Sequence, residues 1–158
     1  MIILGIDPGL ATTGYALIET DARNNPVKIS WGCITTPAGV PTPARLMEIR
    51  TQLLKTITSK KPARAVVEKL FFEKNAKTAM AVGEARGAIL SCLAEHNIAI
   101  LEITPLQMKR ALTGQGNADK TQVQKMLMII FKLDAPPKPD DAADALALAW
   151  CGMRHLND

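Results

Sequence analysis

The chain is poor in the residues that most often carry enzyme chemistry by themselves. Its 158 residues include three cysteines and two histidines. Cys33, Cys92 and Cys151 lie far apart, with no C-x-x-C and no Cys/His zinc spacing. That excludes a zinc ribbon and a thioredoxin-type redox motif. The three read as small buried hydrophobes in a reducing cytoplasm. His96 and His155 stand apart from each other and from any Ser or Cys motif; both read as surface residues, and no nucleophile–base pair is in view. No uninterrupted apolar run approaches the ~18 residues of a membrane span. The apolar start, Met1 to Ile6, has no basic region before it and meets Asp7 at once, so a signal peptide is not expected. The ten Gly and ten Pro are scattered, which removes collagen-like and low-complexity readings.

What is present suits one compact domain over residues 1–158. This length buries roughly 70% of the unfolded surface without help from a disulfide or a metal. Hydrophobic residues at 47% and charged residues at 22% argue against disorder. The charge is unevenly placed. Residues 59–132 carry twelve basic side chains against six acidic, and residues 133–158 carry two basic against five acidic. A basic stretch beside an acidic cluster suits a nucleic-acid enzyme that also holds cations; a solvated basic face is the plainer account.

Ile2 to Ile6 reads as a strand ending in the turn sequence Asp7-Pro8-Gly9. Strands at Gly14–Thr20 and Val27–Thr36 follow through short connections, favouring an antiparallel meander. Thr42 is expected to cap a helix with Pro43 at its first position, running to about Ser59 through Leu46, Ile49, Leu53 and Ile57. Ala63–Glu68 reads as a central fourth strand, 69–74 as a loop, Asn75–His96 as a long helix and Ile98–Ile103 as a fifth strand. A short helix from Thr104-Pro105 to Leu112, a helix over Ala118–Leu133 and a last one over Asp140–Met153 complete the chain. The order βββ-α-β-α-β-α-α-α predicts an α/β fold with a mixed five-stranded sheet, antiparallel meander plus parallel strands, flanked by helices.

Acids sit where such a fold would expose them. Asp7 ends the first strand on the face of Ile3 and Gly5, although a turn residue before Pro8-Gly9 explains it equally well. Glu68 ends the run Ala65-Val66-Val67, and a strand-end acid paired with Lys69 or an Arg is its plainer reading. Asp140, Asp141 and Asp144 open the last helix. Capping and the helix dipole account for the first two, at about 0.3–1 kcal/mol each. They account poorly for Asp144, one turn further in among alanines. Positions 141 and 144 share a helix face. If strands one and four are neighbours, Asp7, Glu68, Asp141 and Asp144 can converge at one sheet end. Two carboxylates at 4 Å repel by about 4 kcal/mol at an effective dielectric of ~20, so four call for a cation. Oxygen-only ligands select Mg²⁺ or Mn²⁺ over zinc, and such a site in a basic protein suits two-metal phosphodiester hydrolysis.

Phe71 and Phe72, two of three phenylalanines, lie beside Lys69, Lys74 and Lys77. An exposed aromatic among lysines can stack on an unpaired base, at about 1–3 kcal/mol; packing of both rings under the sheet is the competing account. Ala76, Ala79, Gly83 and Gly87 form a small-residue stripe on the long helix. Two helical glycines cost roughly 0.8–1 kcal/mol each against alanine, so a close neighbour, in this subunit or a second one, is expected there. Lys109, Arg110, Lys120 and Lys125 surround the Gly114–Asn117 connection and would suit phosphate contacts.

These residues together resemble the RuvC family of bacterial Holliday-junction resolvases. The likeness runs through Ile6-Asp7-Pro8-Gly9, Thr13-Gly14-Tyr15, Val67-Glu68, Phe71, Lys74-Asn75-Ala76, Gly83, Ala85-Arg86-Gly87, Lys109, Gly114-Gln115-Gly116, Lys120, Gln122-Val123 and Asp141 to Ala147. It spans essentially the whole chain in order. It implies a ribonuclease-H-like fold and a cytoplasmic homodimer that nicks four-way DNA junctions symmetrically, leaving 5′-phosphate and 3′-hydroxyl ends, in recombination and repair. It places metal ligands on Asp7, Glu68, Asp141 and Asp144, for two Mg²⁺ per site with Mn²⁺ as a substitute. DNA contacts fall on Phe71, Lys109 and Lys120, the dimer interface on the long helix, and the RuvA–RuvB branch-migration complex is the implied partner; Lys74, beside Phe71 and Phe72, is expected to join the DNA contacts. Lys69 departs from the neutral residue the family pattern suggests. Two other classes compete. The Ile-Asp-Pro-Gly turn with Thr12 and Thr13 resembles the phosphate loop of actin- and sugar-kinase-type ATPases, but those need a second lobe. A junction-binding protein without cleavage predicts a missing acid, and all four are present.

Overall fold

A computed structural model describes residues 1–69 and 76–154. The strands are β1 (Ile2–Asp7), β2 (Thr12–Thr20), β3 (Pro26–Thr35), β4 (Arg64–Glu68) and β5 (Ala99–Ile103). The helices are α1 (Thr42–Lys60), α2 (Ala76–Glu95), α3 (Pro105–Thr113), α4 (Lys120–Phe131) and α5 (Asp140–Arg154). The sheet has the order β3-β2-β1-β4-β5. The first three strands form the expected antiparallel meander. β4 joins β1 in parallel and β5 joins β4 in parallel. β4 is therefore interior, and β1 takes the centre.

Strand alternation divides the core between the two faces. Ile3, Ala16, Ile18 and Val66 point toward α5, with α3 and α4 closing over them through Met108, Leu112, Val123 and Leu127. Leu4, Ile6, Leu17 and Val67 point the other way, toward Ile49, Leu53 and Ile57 of α1 and Ile89 and Leu93 of α2. The α5 face is so closely packed that two strand glycines are obligatory. A Cβ on Gly5 would lie 2.0 Å from the Ala145 carbonyl oxygen, and one on Gly14 would lie 2.0 Å from that of Asp141. Alanines at 142, 143, 145, 147 and 149, all buried, let α5 lie almost backbone-to-backbone on β1 and β2.

Helix starts follow local chemistry, with one departure. Thr104 caps α3 and forms a reciprocal box with Gln107, as its sequence leads one to expect. Asp119 does the same for α4 with Gln122, so that helix starts at Lys120 and not at Ala118. Thr42 is not the cap of α1. The chain is still extended at Pro41 (φ −56°, ψ 140°), Thr42 is already helical, and no side chain caps the start. The Pro41 carbonyl instead accepts from the amides of Ala44 and Arg45 at 3.0 and 3.2 Å. Two prolines, at 41 and 43, fix φ on both sides of Thr42 and set the boundary one residue early.

Candidate active site

Two parallel strands deliver the first pair of acids. In the β1–β4 register Ile6 pairs with Val67, so Asp7 and Glu68 are the next residue on each strand. They leave the sheet at the same end. On the other side of β1, Asp7 pairs with Gly14 of β2. The missing Cβ at Gly14 admits the Asp141 carbonyl from the first turn of α5. That contact places Asp141 beside Asp7, and Asp144 follows one turn later. All four acids are half-buried.

The electrostatics show how close they are. Burial pushes Asp7 up from 3.8 to about 8, reinforced by the charges of Glu68, Asp144 and Asp141. Burial and the Asp144 charge raise Glu68 to about 7, offset by a hydrogen bond from Asp7 and by Lys109. Both carboxyls of the pair are thus driven toward the protonated form. Asp144 is also raised, first by burial, against the lowering effect of Lys120 and Lys109. Carboxyls driven this far up form a site that prefers protons or cations to empty ionised oxygens. The donors are all carboxylate oxygens, which fits a hard divalent cation. Among the described residues, no three of these side chains are already drawn around one point.

Two cations border the acids. Lys109 of α3 is half-buried, and its charge bears on Glu68 and Asp144. Lys120, the first residue of α4, reaches Asp140 Oδ2 at 2.7 Å. Gln124 donates to Asp140 Oδ1 at 3.1 Å. Asp140 therefore links the starts of α4 and α5 and holds Lys120 at the rim, a role the sequence did not reveal. Arg110 and Lys125 are exposed nearby in the chain. Phe71, Phe72 and Lys74 lie outside the described residues. Cys33 departs from expectation. It is half-buried at the site, where burial and the charges of Asp141 and Asp7 push its thiol up, so it stands there as a neutral thiol. Cys92 and Cys151 are buried as expected. A polar cavity of about 230 Å³ lies between β2–β3, where Cys33 is among its lining residues, and Glu48, Gln52 and Thr56 of α1; none of the four acids lines it.

A mixed five-stranded sheet with a helix laid across its central strands, and acids gathered at the strand ends beneath it, defines a ribonuclease-H-like fold with the layout of a nuclease. The family model of crossover junction endodeoxyribonuclease RuvC matches residues 3–152. The RuvC of Petrotoga mobilis is 50% identical over 96% of this chain and 92% of its own; that of Alkaliphilus oremlandii is 48% identical over 96% and 92%. The solved T. thermophilus RuvC in complex with a Holliday junction substrate superposes with a TM-score of 0.87, at 31% identity over 94% of this chain and 90% of that one. The chain belongs to the RuvC family of crossover junction endodeoxyribonucleases.

Proposed function

We propose that this protein resolves four-way DNA junctions by paired, symmetric, metal-dependent nicks that leave 5′-phosphate and 3′-hydroxyl ends, in recombination and repair. The observation that carries the reading is the β1–β4 register, which sets Asp7 and Glu68 side by side beneath Asp141 and Asp144. These four side chains would hold Mg²⁺, two ions per site, with Mn²⁺ able to substitute. Bound there, the cations would activate the attacking water and stabilise the leaving 3′ oxygen. The chain's own residues do the rest. The carboxylates orient the cations. Lys109 and Lys120 flank the acids as phosphate contacts, and Lys74 and Phe71 are assigned to the DNA, with Phe71 stacking at the exchange point. Release of Lys120 from Asp140 to a phosphate is easy, because both partners are more than half exposed and such pairs contribute only about 0–1 kcal/mol.

The same reading takes residues 1–158 as one nuclease domain and two chains as the active unit, joined through α2. Support for the dimer is the open outer side of that helix. Met80 is 71% exposed, and a Cβ on Gly87 would meet nothing within 4 Å. The RuvA–RuvB branch-migration complex is the proposed partner and the cytoplasm the proposed location. Among the described residues no helix is long and apolar enough to cross a membrane. Cleavage of a labelled mobile four-way junction, with Mg²⁺ and with EDTA, tests the proposal. Wild type should give paired symmetric nicks with Mg²⁺ only, and Asp7→Asn should bind without nicking. Binding by the wild type with no nick even in Mn²⁺ would turn the assignment to a junction-binding protein.

A further inference from the structure

The peptide that follows Glu68 is held at both ends by other elements. Its N–H, on Lys69, donates to the Ile103 carbonyl of β5 at 2.8 Å. Its carbonyl oxygen, on Glu68, accepts from Arg86 Nε at 3.2 Å. Arg86 projects from α2, and its Nη2 pairs with Glu102 Oε2 on β5. The Arg86 side chain is 18% exposed and that of Glu102 38%, so the tie among β4, β5 and α2 is partly withdrawn at its arginine end and open at its glutamate end. At a strand end the carbonyl is left without its ladder partner, and a half-buried carbonyl needs a donor. The planar fork of arginine can serve two acceptors from two elements at once, which a lysine ammonium does less well.

We infer that Arg86 is a positioning residue for Glu68: by clamping the Glu68–Lys69 peptide it aims the Glu68 carboxylate into the cluster with Asp7, Asp141 and Asp144. The inference rests on the reading of Glu68 as a metal ligand. The guanidinium acts through the backbone, whereas the cation whose charge bears on the Glu68 carboxyl is Lys109. Arg86 also sits one residue before Gly87, on the helix whose outer side is open. A shift of α2 would therefore reach the Glu68 backbone directly through this side chain.

The test uses the full chain with Arg86→Gln, Arg86→Lys and Glu102→Gln. Two quantities are followed against Mg²⁺ concentration: the rise in melting temperature without DNA, and the single-turnover rate of junction cleavage. Arg86→Gln should raise the half-maximal Mg²⁺ concentration about tenfold or more in both, as loss of a ligand-orienting partner does, while junction affinity in EDTA stays at the wild-type value. Arg86→Lys should shift both curves less, because one ammonium retains the Glu68 carbonyl or Glu102. Glu102→Gln leaves the bond to Glu68 in place and should leave both curves near wild type. A folded Arg86→Gln with wild-type Mg²⁺ curves overturns the inference. So do equal shifts in Arg86→Gln and Glu102→Gln, which would assign the effect to the α2–β5 ion pair. If Arg86→Gln does not fold, Arg86→Lys decides alone, and wild-type curves from it overturn the inference. Glu68→Gln separates the two levels. If it binds Mg²⁺ and cleaves as wild type does, the ligand reading of Glu68 itself falls.

Discussion

The two faces of the sheet are built on different principles. On the α5 face, contact is made by backbone. Gly5 and Gly14 leave no room for a methyl group, and the helix above them is lined with alanine. On the other face, long aliphatic side chains of α1 and α2 interdigitate with Leu4, Ile6 and Leu17, a polar cavity remains under α1, and on the outer side of α2, away from the sheet, Gly87 looks into open space. Side chains can change rotamer; backbones in contact cannot yield without moving an element. The acids are all placed by the rigid arrangement: Asp7 and Glu68 by strand register, Asp141 and Asp144 by the helix that rests on Gly14. A site whose carboxyls repel one another needs that rigidity, since otherwise repulsion would simply spread them apart.

The largest effect should come from adding one methyl group to the backbone-packed face. Gly14→Ala puts a Cβ 2.0 Å from the Asp141 carbonyl oxygen, and the obstruction is backbone, so α5 must lift. We expect a loss of at least about 3 kcal/mol of stability in urea denaturation and loss of cleavage in whatever remains folded. Gly5→Ala should match it in stability, the Ala145 carbonyl being the obstruction. A Gly14→Ala protein with wild-type stability would refute the contrast between the faces.

Removing the cation should expose the strain stored in the acids. Asp7 carries a folded pKa of about 8 against 3.8, and Glu68 about 7 against 4.5. For a carboxyl raised on folding, the stabilising contribution is full below the unfolded value and is lost as pH climbs to the folded one. The metal-free protein should therefore lose stability as pH rises from about 4 to about 8, by up to about 1.4 kcal/mol per pH unit for each proton retained. Melting in EDTA across this range measures it. Asp7→Asn should flatten the slope, and so should Mg²⁺. A slope of opposite sign would mean that the acids are not held together as described.

Lys109→Ala should have a smaller and more selective effect. The lysine lies at the boundary between the acids and the surface, where its charge lowers both Glu68 and Asp144. Its loss should weaken junction binding and reduce the slope of log affinity against log salt by about 1. It should also steepen the metal-free pH dependence. An unchanged salt slope would remove Lys109 from the DNA contacts and leave it as an internal counter-charge.

The sequence carried the parts of the site that break a local pattern. Asp144 is conspicuous because an acid a full turn into an alanine-rich helix has no capping role, and Asp7 and Glu68 because each ends an apolar run. Their convergence depended on a parallel β1–β4 pairing, which the sequence made conditional and the register supplies. What stayed hidden was everything made by contact across long separations. Arg86 reaches the Glu68 carbonyl from 18 positions away, Lys120 reaches Asp140 from another helix, and Cys33 comes to the acids through β3. None of these residues departs from what an exposed helix or an edge strand ordinarily contains. Gly5 and Gly14 are visible as glycines in strands, yet nothing in the chain says which element lies on them.

The smallest effect belongs to the other face and completes the contrast. Gly87→Ala adds the same methyl group as Gly14→Ala, but to an exposed helical position with nothing within 4 Å. Within one chain it should be harmless or stabilising, by up to about 0.8–1 kcal/mol from helix propensity. If α2 is where two chains meet, the methyl group instead lies in a close helix–helix contact. The variant should then dissociate at higher concentrations than the wild type in sedimentation. Its thermal stability should rise once it is diluted to monomer. A dimer as tight as wild type would move the interface off Gly87 while leaving the contrast between the faces intact, because that contrast depends only on what each glycine meets inside its own chain.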